Sequence, residues 1–196
     1  ADISVQSTHK QGGALQQGAM IHWKNGRIHS ETLRDSYRTI STSSPSYILL
    51  ASLDAAREMM ELRGTQVIDH ILDISEKLSS AISLLPNLKA VTTSELKKRN
   101  SSVFGRDESK IIVDITGTRL SGYQIAQALE KNQIIVEAYN EYSLLFLVPF
   151  RSTLKDVDRT IEVLKTIKLR RSGVIRKQSR LSLKIPRNIS RILELG

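Results

Sequence analysis

Polar and apolar residues alternate at the start of the chain, where Ile3 and Val5 stand between polar neighbours. A two-residue period is typical of a half-buried strand, and it predicts a short strand over residues 1–7. A glycine-bearing stretch over 11–18 follows, and the apolar run over 19–23 predicts a second strand. We therefore expect two strands joined by a loop in this part of the chain.

Apolar residues then recur every three or four positions, which predicts helices. The first predicted helix covers 30–40 and takes Ser30 as its N-cap. The second covers 46–63 and ends at Gly64, because glycine is common where a helix stops. A third helix covers 65–85 and continues to the proline that follows it. We interpret these apolar stripes as core-facing positions without a chemical role.

The pattern changes after residue 86, where shorter elements replace the long helices. They follow the order strand, strand, helix, strand, strand, helix, which is typical of a sheet with helices packed on it. The predicted strands cover 88–93, 110–116, 134–138 and 143–148, the helices cover 120–131 and 154–167, and a polar, basic loop covers 94–106. We therefore divide the chain into residues 1–86, a small α+β domain over 87–168, and a basic segment over 169–196.

The net charge of +9 comes almost entirely from the end of the chain. Residues 168–196 contain nine Lys or Arg and one Glu, whereas residues 1–167 are close to neutral. Such a segment could bind RNA, DNA or an anionic lipid surface through its charge. It has no aromatic residue for base stacking and no nucleic-acid-binding motif, so we do not expect a nucleic-acid partner.

The absence of certain residue types and motifs from the sequence excludes several classes of function. The 196 residues contain no cysteine, which excludes disulfides, thiolate metal sites and a cysteine nucleophile. The four histidines lack metal-ligand spacing, and no glycine-rich phosphate-binding motif occurs, so we predict no metal site and no nucleotide site. No apolar run is long enough to cross a membrane, and the first residues are not a secretion signal. These features predict a cytoplasmic protein without a membrane partner.

Candidate chemistry is concentrated in Ser7, Thr8, His9 and Lys10, which follow the first predicted strand. A lysine at the carboxyl end of a strand points toward the crevice where ligands bind in α/β sheets. Its amine can form a Schiff base with a carbonyl compound, and the neighbouring hydroxyls and imidazole can contact a phosphate. From these residues alone, a solvated surface lysine remains the more common interpretation.

Three segments resemble the fold-type I pyridoxal-phosphate (PLP) decarboxylases of ornithine, lysine and arginine, and they do so in the family's order and spacing. The first, 1–10, ends in the QSTHK sequence that carries the cofactor lysine in that family. The second, 17–22, is the strand that follows the lysine. The third, 42–47, is similar to the family's TSP-x-Y segment and runs into its helix at 51–56. The resemblance implies an α/β fold, the C-terminal part of an aspartate aminotransferase-like large domain followed by a small α+β domain.

The resemblance also assigns roles to five residues. Lys10 would hold PLP as a Schiff base, and Lys10 or His9 would handle the proton returned to the substrate. Ser7 and His9 match residues that contact the cofactor phosphate. Thr42 and Ser44 match a segment that reaches the phosphate of the neighbouring subunit, which implies a homodimer or a higher homo-oligomer.

The implied reaction is decarboxylation of a basic amino acid to the corresponding amine and CO₂, with arginine favoured over lysine and ornithine. The family places the carboxylate that pairs with the ring nitrogen before the cofactor lysine, and Asp2 lies too close along the strand to replace it. We therefore expect this chain to be part of a longer enzyme and inactive without the remainder. The alternatives are an inactive fragment or paralogue, and a non-enzymatic binding module that uses the basic segment.

Overall fold

The computed structural model describes residues 2–24 and 26–167, and it begins with a two-stranded antiparallel sheet. Strand β1 is Ile3–Gln6 and strand β2 is Met20–Trp23. Gln6 lies opposite Met20, so the two strands are joined by the loop that contains the candidate residues. Both predicted strands are confirmed. The basic segment predicted over 169–196 lies outside the described residues.

Two helices follow, α1 over Ser30–Ile40 and α2 over Tyr47–Ser83. The bounds predicted for the first helix are confirmed, but the N-cap is wrong, because His29 occupies that position and makes no side-chain capping bond. Ser46 caps α2, and its side chain accepts a hydrogen bond from the backbone N–H of Leu49 at 3.4 Å.

The predicted break at Gly64 is wrong, because α2 continues through it as one helix of 37 residues. Gly64 is buried, and it is not among the residues with positive φ, so it does not take the left-handed conformation of a helix stop. Buried positions on either side, such as Ala56 and Ile71, belong to the same helix. A glycine with helical φ and ψ leaves the backbone hydrogen bonds intact, and the two apolar stripes therefore form one continuous element.

The remaining described residues form a four-stranded antiparallel sheet with helices on it. The strands are β3 Lys89–Ala90, β4 Lys110–Asp114, β5 Ala138–Tyr139 and β6 Ser143–Leu147, and the helices are α3 Thr93–Arg99, α4 Gly122–Glu130 and α5 Leu154–Thr166. The strands lie in the order β3-β4-β6-β5 across the sheet. The predicted mixture of strands and helices is therefore present, with one additional helix.

Two predictions in this region are wrong. Residues 94–99 of the loop predicted over 94–106 belong to α3, which begins with a capping box. Thr92 Oγ1 accepts from the N–H of Glu95 at 3.2 Å, and Glu95 Oε2 accepts from the N–H of Thr92 at 3.1 Å. Most of the strand predicted over 134–138 is irregular: of this range only Ala138 lies in a strand, although Ile134 and Val136 pack against the core.

The core of the sheet also contains the C-terminal half of α2. Ile82 is fully buried in the same cluster as Ile111, Ile125 and Leu144. The packed unit therefore starts within α2, before the predicted division at residue 86, and that division stays a prediction. In the ranges that the structure describes, no helix is long and apolar enough to cross a bilayer.

The continuity of α2 predicts that Gly64→Ala stabilises the chain. A Cβ at this position would lie 3.8 Å from Met60 Cβ, an ordinary contact. Alanine is favoured over glycine inside a helix by about 1 kcal/mol, so we expect the free energy of unfolding to rise by about 0.5–1 kcal/mol. Urea denaturation of the full chain, followed by circular dichroism, measures this change. A decrease in stability would show that Gly64 ends a helix.

Gly122→Ala is the matched control, and we expect it to lower stability. A Cβ on Gly122 would overlap the carbonyl oxygen of Asn140, which also accepts the Gly122 N–H at 3.1 Å. The close approach of the two backbones leaves no room for a side chain.

Candidate active site

The candidate residues lie in a tight turn directly after β1. The N–H of Lys10 donates to the carbonyl of Ser7 at 3.1 Å, and the N–H of Thr8 donates to the carbonyl of Gln6 at 3.0 Å. The turn brings Ser7, His9 and Lys10 together, as the motif predicts. Thr8 alone of the four is buried, at 5% exposure, so its side chain fixes the turn and the others remain accessible.

Gly12 allows the chain to fold back over the buried Thr8. A Cβ on Gly12 would lie 2.7 Å from both Cγ2 and the carbonyl oxygen of Thr8, closer than side chains approach in folded proteins. The same carbonyl oxygen accepts the N–H of Ala14 at 3.3 Å. The glycine is therefore required by the turn that positions Lys10.

The imidazole of His9 is held by the other end of the loop. Its Nδ1 lies 2.9 Å from the carbonyl oxygen of Gly18, and the N–H of His9 donates to the same oxygen at 3.0 Å. A carbonyl can only accept, so Nδ1 carries the hydrogen. Nε2 has no hydrogen-bond partner among the described residues, which leaves it available to a ligand.

The amine of Lys10 is exposed and has no partner. Among residues 2–24 and 26–167, no hydrogen bond or ion pair involves its Nζ, and the hydroxyl of Ser7 is likewise exposed and without a partner. An amine without an ion pair is accessible to a carbonyl compound, with which it can form a Schiff base. The turn therefore presents an amine, a hydroxyl and an imidazole nitrogen on one segment.

Two hydrogen bonds fasten this loop to the rest of the chain, and sequence reasoning missed both of them. The N–H of Leu15 donates to Ser52 Oγ on α2 at 3.2 Å. Gln11 Nε2 donates to Ser109 Oγ at 3.1 Å, across 98 positions of sequence. Such pairs leave no local pattern, and only the fold reveals them.

Thr42 and Ser44 lie in a separate loop between α1 and α2. The N–H of Ser44 donates to Thr42 Oγ1 at 3.1 Å, and both residues are exposed. Within the described ranges, no hydrogen bond joins this loop to the turn at Lys10. Their contact with a neighbouring subunit stays a prediction.

The described acidic residues provide neither a metal site nor a carboxylate beside Lys10. Asp2 stands at the opposite end of β1, where it forms an exposed ion pair with Arg27 at 3.2 Å. Residues 2–24 and 26–167 contain no cluster of three or more His, Cys, Asp and Glu that could hold a metal ion.

Comparison with solved structures identifies the class of fold. A lysine decarboxylase from Francisella novicida superposes with a TM-score of 0.72 over 83% of this chain and 27% of its own, at 24% identity. At this identity the likeness concerns the fold, and it confirms the predicted α/β class. The assignment of 87–168 as a small α+β domain stays a prediction.

Comparison with sequence families identifies the family. Residues 2–104 match the model of the Orn/Lys/Arg decarboxylase major domain. An arginine decarboxylase from Bacillus anthracis is 30% identical over 95% of this chain and 38% of its own length, and one from Bacillus cereus is 31% identical over 85% and 36%. The chain therefore belongs to the Orn/Lys/Arg decarboxylase family. It spans less than half the length of these relatives.

The hydrogen bond of His9 predicts different results for two substitutions. His9→Ala removes the bond to Gly18 and should lower the free energy of unfolding by about 1 kcal/mol. His9→Asn should retain most of the stability, because an asparagine amide can donate from a position close to that of Nδ1. Thermal denaturation of the full chain compares the two variants. An equal loss in both would mean that the bond to Gly18 does not stabilise the loop.

Proposed function

We propose that the complete protein is a PLP-dependent decarboxylase of a basic amino acid, with Lys10 as the residue that holds the cofactor covalently. The observation that carries this proposal is the exposed, unpartnered amine of Lys10 in a turn that matches the family's motif. The donors around it fit an aldehyde that bears a phosphate. When bound, PLP supplies an electron sink that accepts the electron pair left behind as the carboxyl group departs as CO₂.

The residues of the turn have complementary roles in this proposal. The Ser7 hydroxyl would donate to the cofactor phosphate, and His9 would donate to it from Nε2 when the imidazole carries a hydrogen on both nitrogens, since neither group has a partner among the described residues. The bond from Nδ1 to Gly18 keeps the ring oriented with Nε2 free. Lys10 Nζ would carry the proton to the substrate, and His9 Nε2 is the alternative carrier if it does not bind the phosphate.

The second loop supports a dimeric enzyme. Thr42 and Ser44 expose hydroxyl and backbone groups without a contact to the turn at Lys10 in the same chain. We assign them to the phosphate of the neighbouring subunit, in keeping with the family motif. The remainder of the enzyme would then supply the carboxylate that pairs with the ring nitrogen, because Asp2 is occupied by Arg27.

Arginine is the favoured substrate, and lysine and ornithine are the alternatives. The two arginine decarboxylases from Bacillus match 95% and 85% of this chain. The lysine decarboxylase from Francisella shares the fold at 24% identity. These similarities support a basic amino acid and favour arginine within that class.

Decarboxylation by the complete protein tests the proposal. We expect amine and CO₂ from arginine, and less product from lysine and ornithine. Lys10→Ala should lower kcat by about 10³-fold or more, because it removes the covalent attachment and a proton carrier together. Product amines are measured by chromatography with added PLP.

Lys24→Ala is the matched control. Lys24 is an exposed lysine directly after β2, and its backbone N–H, rather than its amine, bonds to Asp2. We expect this variant to keep the activity of the unaltered protein. Equal activity of the Lys10 and Lys24 variants would contradict the proposed role of Lys10.

A further inference from the structure

A series of hydrogen bonds between polar side chains connects Gln11, the residue after Lys10, to the start of β4. Gln11 Nε2 donates to Ser109 Oγ at 3.1 Å, and Ser109 Oγ donates to Asp107 Oδ1 at 2.6 Å. Lys110 Nζ lies 2.9 Å from the other carboxylate oxygen. These contacts therefore run from the Lys10 turn to an ion pair at the start of β4.

The carboxylate of Asp107 fixes the direction of these hydrogen bonds. Burial raises the pKa of Asp107, but hydrogen bonds from Ser109 and Lys110 outweigh it, so the pKa lies below its ordinary value. An ionised carboxylate only accepts, so the Ser109 hydroxyl hydrogen points to it. The lone pairs of Ser109 Oγ then face the side-chain NH₂ group of Gln11, which donates a hydrogen bond to them.

Ser109 is rigidly placed to receive this bond. It is 5% exposed, and its N–H also donates to Asp107 Oδ1 at 3.0 Å. Its carbonyl oxygen accepts the N–H of Val148 at 2.9 Å, which ties it to the end of β6. A buried hydroxyl that both donates and accepts a hydrogen bond holds one orientation, so Gln11 Nε2 donates to an acceptor in a fixed position.

A second contact reaches the same end of the sheet. Phe150 follows β6, and its ring atoms lie 3.9 Å from the position that a Cβ would take on Gly13. Gly13 has a φ of 83°, which favours glycine, so the loop bends at this contact. The loop after Lys10 therefore touches the sheet unit through one hydrogen bond and one aromatic side chain.

We propose that Gln11 and Ser109 are positioning residues that set the place of Lys10 relative to the sheet unit of β3 to β6. Gln11 is the covalent neighbour of Lys10, so a displacement of Ser109 passes directly to the backbone that carries the amine. Both residues act through Lys10, and neither touches the reacting atoms. The effect of Gln11 and Ser109 on the reaction rests on the function proposed above for Lys10.

Hydrogen exchange of the complete protein without PLP tests the contact itself. Gln11→Ala and Ser109→Ala should each speed amide exchange in the 7–18 loop by about fivefold, as expected for one lost hydrogen bond. The double variant should exchange no faster than the more affected single variant, because both substitutions break the same bond. Gln16→Ala is the control, since Gln16 is an exposed glutamine of the same loop without a hydrogen-bond partner among the described residues.

Gln11→Glu separates the hydrogen bond from packing. Its carboxylate has the length of the amide but cannot donate to Ser109 Oγ, so we expect exchange at least as fast as in Gln11→Ala. In the PLP-loaded enzyme, both variants should lower kcat about fivefold with little change in KM, because a misplaced amine affects the reaction more than substrate binding.

Two results would overturn the proposal. The first is unaltered amide exchange and kcat in both Gln11 variants. The second is faster exchange in Ser109→Ala but not in Gln11→Ala, which would give Ser109 a role in folding only. Activity that survives Lys10→Ala would instead overturn the proposed function, and the exchange data would still decide whether the Gln11–Ser109 contact holds the loop.

Discussion

The burial of the C-terminal half of α2 against the four-stranded sheet is the interaction on which the rest of the structure depends. Ile82 is fully buried there, in one cluster with residues from every layer of the sheet unit. Because α2 is continuous through Gly64, its N-terminal half is held in place by the same packing. That half carries Ser52, which binds the loop after Lys10. The helix therefore connects the hydrophobic core to the candidate site.

The candidate site combines a hydrogen-bonded turn with functional groups that have no partner among the described residues. Thr8 and Gly12 close the turn, and Gly18 accepts two hydrogen bonds from His9. By contrast, the amine of Lys10 has no partner among the described residues. The proposed Schiff base would need this combination, since a rigid backbone fixes the position of the amine and no ion pair covers it.

Sequence patterns predicted elements with strong periodicity and missed those defined by single residues or distant contacts. The alternation of apolar and polar residues around Ile3 was sufficient to predict a strand, and the apolar stripes of α2 were sufficient to predict helix. Gly64 was misleading because the same residue type ends helices and also occurs inside them. The capping box at Thr92 was a readable signal for α3 that the polarity of the segment obscured. The motif that ends in Lys10 indicated the candidate residues, whose roles stay predictions, whereas the bond from Gln11 to Ser109 spans 98 positions and has no sequence signature.

Trapping of the cofactor tests the central claim that Lys10 is the covalent attachment point. The complete protein is incubated with PLP, reduced with borohydride, digested and mapped by mass spectrometry. The structure predicts one reduced adduct per chain, on the peptide that contains Lys10, because that amine is free and flanked by Ser7 and His9. An adduct on another lysine, or no adduct in the complete protein, would contradict the account.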